Sequence, residues 1–225
     1  DGQMKWDGIL DLSVQAKLKR ITDAAAKGRW AEAMTIADKE LTHSSDPSLV
    51  MAGAMMHFCA GDNPGAIKLF GQSLSINPEN SVARLMLFMI DWLTGRSSMD
   101  PYREVLLDLD WRSPAEFLGY LFRVLEGLVD EKSALEAWDN LSEKSWLYYV
   151  VGLIRANRGE WAGSEKLLRQ AVLDAEPDSW EFFLSRAELD QVQKKRLAAL
   201  QTNAKWTEYQ AEIESFKNRV ERERE

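Results

Sequence analysis

The chain has 225 residues, 45% of them hydrophobic and 28% charged, a globular composition that excludes a disordered or collagen-like chain. A net charge of -8 sets most of the surface against a phosphate backbone and argues against nucleic acid as a partner. One cysteine, Cys59, and two histidines, His43 and His57, exclude an internal disulfide framework or cysteine-rich zinc module and leave little for a histidine-based metal site.

The chain opens Asp1-Gly2-Gln3-Met4, which predicts a processed or trimmed N-terminus, and residues 1–12 read as a lead-in. A lone cysteine suits cytoplasm and periplasm equally. No run of about 18 apolar residues follows, so no membrane span is expected. From residue 14 onward, glycines punctuate the sequence at near-constant intervals. Gly28, Gly61, Gly95, Gly127 and Gly159 lie 33, 34, 32 and 32 residues apart. A glycine just past a helix accepts the left-handed backbone that closes it. Pro47, Pro78, Pro114 and Pro177 mark restarts, because proline is tolerated in a first helical turn and not in a helix interior.

Between these marks the apolar period is helical. Leu49, Ala52, Met55, Met56 and Cys59 recur at three- and four-residue steps, as do Ala66, Leu69, Phe70 and Leu74. The same holds for Trp146, Tyr149, Val150, Leu153 and for Leu167, Leu168, Ala171, Val172. Hairpin signals are missing. The fold class expected is all-α, an α-solenoid of about five helix–turn–helix repeats with C-terminal capping helices. The array takes 1–177 and a helical cap or extension takes 178–225.

After Pro177 two helices are expected, about 178–200 and 204–224, broken near Thr202-Asn203. The second carries an apolar stripe of Trp206, Tyr209, Ile213, Phe216 and Val220. Full burial of each is worth roughly 1.5–3 kcal/mol, so the stripe must pack on something. The end of the array is the expected surface; the concave groove or the same helix of a second molecule, through 204–224, are the alternatives.

Little in the chain points to catalysis. His43-Ser44-Ser45-Asp46 holds the residue types of a hydrolase triad, but triads assemble from distant positions, and Asp46 before Pro47 is an expected helix N-cap. His57 and Cys59, two apart on a helix, point to different faces, and Cys59 reads as core. Asp108 and Asp110 read as solvated surface. Lys194-Lys195-Arg196, the one compact basic run, reads as a solvated helix face. No catalytic residue, cofactor site or metal site is assigned, and the chain is read as not an enzyme.

Gly61-Asp62-Asn63-Pro64-Gly65-Ala66-Ile67-Lys68-Leu69-Phe70, with Asn77-Pro78, resembles the second half of a tetratricopeptide repeat. Gly28-Arg29-Trp30-Ala31-Glu32-Ala33 and Gly159-Glu160-Trp161-Ala162-Gly163-Ser164 repeat the turn, with Trp30 and Trp161 at the aromatic position. Gly152, seven residues before Gly159, matches the small residue that lets paired helices approach, and Trp138 matches the large residue Phe70. The resemblance covers about 14–177. The third unit departs from it at Arg96-Ser97-Ser98-Met99-Asp100-Pro101, as does the fourth, which turns at Gly127-Leu128-Val129-Asp130 and lacks a closing proline.

The resemblance implies that the first helix of each unit lines a concave surface. Its groove-facing positions are Met51, Met55 and Phe58, then Leu85, Met89 and Trp92, then Trp146, Tyr149 and Leu153. That set suits an extended peptide or amphipathic helix of a protein partner, and an open groove would tolerate Met55→Lys with Met89→Lys. The same residues read equally well as core. The function expected is a protein–protein interaction scaffold, of the kind bacterial assembly or secretion factors provide. The alternative is a homo-oligomerisation module pairing through its C-terminal helix.

Overall fold

The structure, a computed structural model, describes residues 12–95, 117–200 and 205–223. Among these residues there are eleven helices and no strand, so the all-α expectation holds. The chain divides into two compact units, Asp1–Leu128 and Val129–Glu225. The expected division at 177/178 falls inside the second. Arg96–Pro101, Asp108, Asp110, Pro114 and Thr202-Asn203 lie outside the described residues.

The first unit runs α1 (Leu12–Ala26), α2 (Trp30–Leu41), α3 (Pro47–Cys59), α4 (Asn63–Ile76), α5 (Ser81–Thr94) and α6 (Phe117–Leu125). Each helix packs on the next, and α1 also reaches α3. Helix α3 starts where the sequence says it should. Pro47 occupies its first turn, and the Asp46 carboxylate accepts from the Ser48 and Leu49 amides at 2.9 and 3.4 Å. Apolar on every side, α3 is buried along nearly its whole length, as expected of a helix without a polar face.

The second unit runs α7 (Glu131–Glu136), α8 (Leu141–Asn157), α9 (Trp161–Asp174), α10 (Trp180–Leu200) and α11 (Lys205–Arg222). Helix α10 packs on both α8 and α9, and α11 on α10. The α8–α9 pair is close because Gly152 allows it. A Cβ there would lie 2.9 Å from Leu168 Cγ, and the Ser164 hydroxyl donates to the Gly152 carbonyl at 2.8 Å.

One turn recurs through both units. Gly28, Gly61, Gly95, Gly127 and Gly159 all have positive φ, between 65° and 84°. At four of the five, the glycine N–H donates to the carbonyl three residues back and the next N–H to the carbonyl five back: Gly28 to Ala25 and Arg29 to Ala24, Gly61 to Phe58 and Asp62 to His57, Gly127 to Val124 and Leu128 to Arg123, Gly159 to Ala156 and Glu160 to Arg155. This is the paired closure of a Schellman motif.

The stretch that follows Gly127 departs from the expected repeat pattern further than the sequence indicated. Helix α7 has only six residues, and Trp138 lies in the loop beyond it rather than at the helical position of Phe70. Helix α8 then starts at its own cap: Asn140, with extended backbone at ψ 130°, accepts from the Ser142 amide at 3.0 Å.

Candidate functional site

Six of the nine residues expected to line a groove belong to the first unit. Helix α3 supplies Met51, Met55 and Phe58, and α5 supplies Leu85, Met89 and Trp92. Met55, Leu85 and Met89 have no exposed surface and Met51 has 4%, while Phe58 and Trp92 remain half-buried. In the second unit Trp146, Tyr149 and Leu153 on α8 are all buried, with Trp146 edge-on to Tyr149 at 6.1 Å. Only Phe58 and Trp92 of the nine therefore keep an appreciable open face.

A polar cluster that sequence reasoning missed lies beside Phe58. The ring of His57 on α3, 8% exposed, stands between two carboxylates. Nδ1 is 2.6 Å from Asp62 Oδ2, in the α3–α4 turn, and Nε2 is 2.9 Å from Asp38 Oδ1 on α2. Burial pulls the imidazole pKa down, but hydrogen bonds to Asp38 and Asp62 and their charges outweigh it and hold it above the ordinary 6.5. The hydrogen bond from His57, with a smaller one from the Gly65 amide, lowers Asp62. Gly65 makes the room: a Cβ there would overlap both His57 Nδ1 and Asp62 Oδ2.

The second unit has a cluster of opposite polarity. Glu165 on α9, 2% exposed, accepts at Oε1 from Arg169 (2.6 and 3.0 Å) and Gln193 (3.2 Å). At Oε2 it accepts from the Tyr209 hydroxyl at 2.5 Å and from Arg196. Three helices, α9, α10 and α11, thus meet on one carboxylate. Burial raises its pKa, yet the bonds from Tyr209 and Arg169 win and hold it below the ordinary value. Burial first, then the Glu165 contact, pushes the Tyr209 phenol up.

The α11 stripe is largely covered within the chain. Tyr209, Ile213 and Val220 are buried, and Trp206 and Phe216 half-buried. Arg169 lies 4.8 Å over the Phe216 ring and bridges Glu212 at 3.1 Å, while Arg196 lies 4.2 Å over Tyr209. Of the five stripe residues, Trp206 and Phe216 keep part of their surface in solvent.

The remaining sequence candidates resolve into structural roles. Asp46 accepts the Ser48 amide with its carboxylate as the α3 cap, and His43 is exposed in the loop before it. Cys59 is buried. In the basic run, Lys194 and Lys195 are exposed as expected, with Lys195 4.8 Å over the Trp161 ring, but Arg196 turns inward to Glu165. Trp161, Arg196, Ala199 and Leu200 border a wide-open cleft of about 490 Å³. Among the described residues no group of three or more His, Cys, Asp or Glu could hold a metal ion, and no helix is long and apolar enough to cross a membrane.

No protein-family model, no curated protein and no solved structure matches this chain.

Proposed function

We propose that the chain is a non-enzymatic protein–protein interaction scaffold, built from tetratricopeptide-like repeats and binding a peptide or amphipathic helix of a partner. The observation that supports this most is the turn repeated at four glycines with the same pair of hydrogen bonds. A chain that reuses one supersecondary unit while varying the side chains on it has the economy of a recognition surface. The close Gly152–Ser164–Leu168 contact supports the same repeat register.

The contact surface proposed in the first unit narrows to the open faces of Phe58 and Trp92. Met55 and Met89, which have no exposed surface, are left out of the contact surface. Affinity comes from removing apolar surface from water, at about 25 cal/mol per Å² before the cost of ordering the ligand.

Photo-crosslinking in cells tests this. A photoreactive phenylalanine analogue placed at Phe58 or Trp92 should capture one and the same protein, and the exposed positions Glu32 and Gln72 should not. Capture at all four positions alike, or at none, would refute the reading. With Met55 and Met89 fully buried, Met55→Lys with Met89→Lys is expected to unfold the first unit instead of being tolerated, because withdrawing two ammonium groups from water is costly.

A further inference from the structure

We propose that Asp38, His57 and Asp62 form a proton-operated clamp that fastens α2 and the α3–α4 turn to α3, closed while the imidazole carries two protons and open once it has lost one. The geometry demands the first state. Both ring nitrogens face carboxylate oxygens within hydrogen-bond distance, 2.6 Å at Nδ1 and 2.9 Å at Nε2. A carboxylate only accepts, and a neutral imidazole has one N–H and one bare lone pair. Neutral His57 would therefore aim a lone pair at one of the two carboxylates, in a place where only 8% of the residue reaches solvent. The imidazolium alone satisfies both contacts.

The three groups come from separate segments, so the proton acts between elements. Asp38 is in the third turn of α2, His57 near the end of α3, and Asp62 is the N-cap of α4, accepting also from the Gly65 amide at 3.2 Å. The charges acting on the ring are those of Asp38 and Asp62. Other charged groups on the surrounding helices are engaged elsewhere or exposed. On α1, Lys17 and Arg20 turn to Glu40 of α2, and Lys19 pairs with Asp23; on α2, Glu32 pairs with Arg29 and Lys39 is exposed; Lys68, the one charged residue of α4, is exposed.

The direction of the pH effect follows from linkage. A histidine whose proton is held more tightly in the folded chain stabilises the fold fully below its unfolded pKa, and that contribution is lost as pH rises through the folded value. The window therefore opens near 6.5 and extends upward. The Asp38 and Asp62 side chains are 54% and 41% exposed, so water can take both carboxylates when the clamp opens.

The test uses the intact chain with His43→Gln, an exposed loop position whose change leaves His57 the sole histidine. Proton NMR of the imidazole should show His57 still charged above pH 6.5 and losing its proton at a higher pH. Amide exchange, corrected for its intrinsic pH dependence, should then quicken at 38–41 and 57–65, and the melting temperature should fall over the same range. Asp38→Asn and Asp62→Asn should each lower the titration midpoint, and together they should flatten the dependence of melting on pH. Titration at or below 6.5 overturns the proposal. So does a high titration midpoint with no change in melting temperature or exchange.

Discussion

The two units bury ionic clusters of opposite sign, and the difference decides what each can do. In the first, one cation stands between two carboxylates that remain about half in water. In the second, one carboxylate is almost wholly withdrawn from solvent and receives hydrogen bonds from four side chains on α9, α10 and α11. Their pH responses run in opposite directions. His57 contributes stability that fades as pH rises above 6.5. Glu165, held below its ordinary 4.5, contributes stability that is present above that value and fades only as pH falls through the folded one. The first cluster thus meets its transition above 6.5 and the second below 4.5.

Removing the Glu165 charge should have the largest effect of any single substitution in either cluster. Glu165→Gln keeps the shape but leaves Arg169 and Arg196 facing a neutral amide, and breaking such a buried pair costs about 3 kcal/mol. Because Tyr209 hangs on the same carboxylate, α11 should loosen first. Limited proteolysis should cut within 205–222 while α8 and α9 stay protected. A variant that melts like the parent and resists cleavage would show that the apolar stripe alone holds α11, and would erase the contrast with the first unit.

Next in size is Gly152→Leu. Leu168 Cγ at 2.9 Å and Cδ2 at 3.0 Å leave no room even for a Cβ, and overpacking of this kind costs about 1–3 kcal/mol. Unlike the changes at the two ionic clusters, the loss should be independent of pH, which makes this variant the reference for both. It also tests the repeat register, since an unchanged melting temperature would mean that α8 and α9 are not packed as described.

The features legible in the sequence are those that local stereochemistry enforces. Five glycines at even spacing announced five left-handed turns, because other residues rarely adopt that backbone conformation. Asp46 before Pro47 announced a cap and became one. The ionic clusters were hidden because their members are far apart: Asp38 is 19 residues from His57, and Tyr209 is 44 from Glu165. One half of the histidine cluster did leave a trace. His57 is the residue whose carbonyl accepts from the Asp62 amide in the glycine turn, so a histidine four before such a glycine and an aspartate just after it are brought together by the turn itself. The apolar sets on α3, α5 and α8 could not be divided between groove and core, because methionines and aromatics at helical spacing look the same in either place. Burial assigns seven of the nine to the interior.

The smallest effect is also the most diagnostic for the contrast between the clusters. Gly65 lies in the first turn of α4, and a Cβ there must displace both the His57 ring and the Asp62 carboxylate. At low pH, Gly65→Ala therefore forfeits a charge-assisted hydrogen bond, worth about 1.5–3 kcal/mol. Against that, alanine is favoured over glycine in a helix by about 1 kcal/mol, so the net loss should be about 1 kcal/mol. Above the His57 transition the contact has already lost its charge, and the helical gain meets much less opposition. The gap in stability between parent and variant should shrink as pH rises and approach zero on the alkaline side. Thermal melts of the two proteins across that range would measure it. A gap that stays constant would mean that the glycine relieves crowding alone, whatever the protonation of the ring, and that the two clusters differ in depth but not in kind.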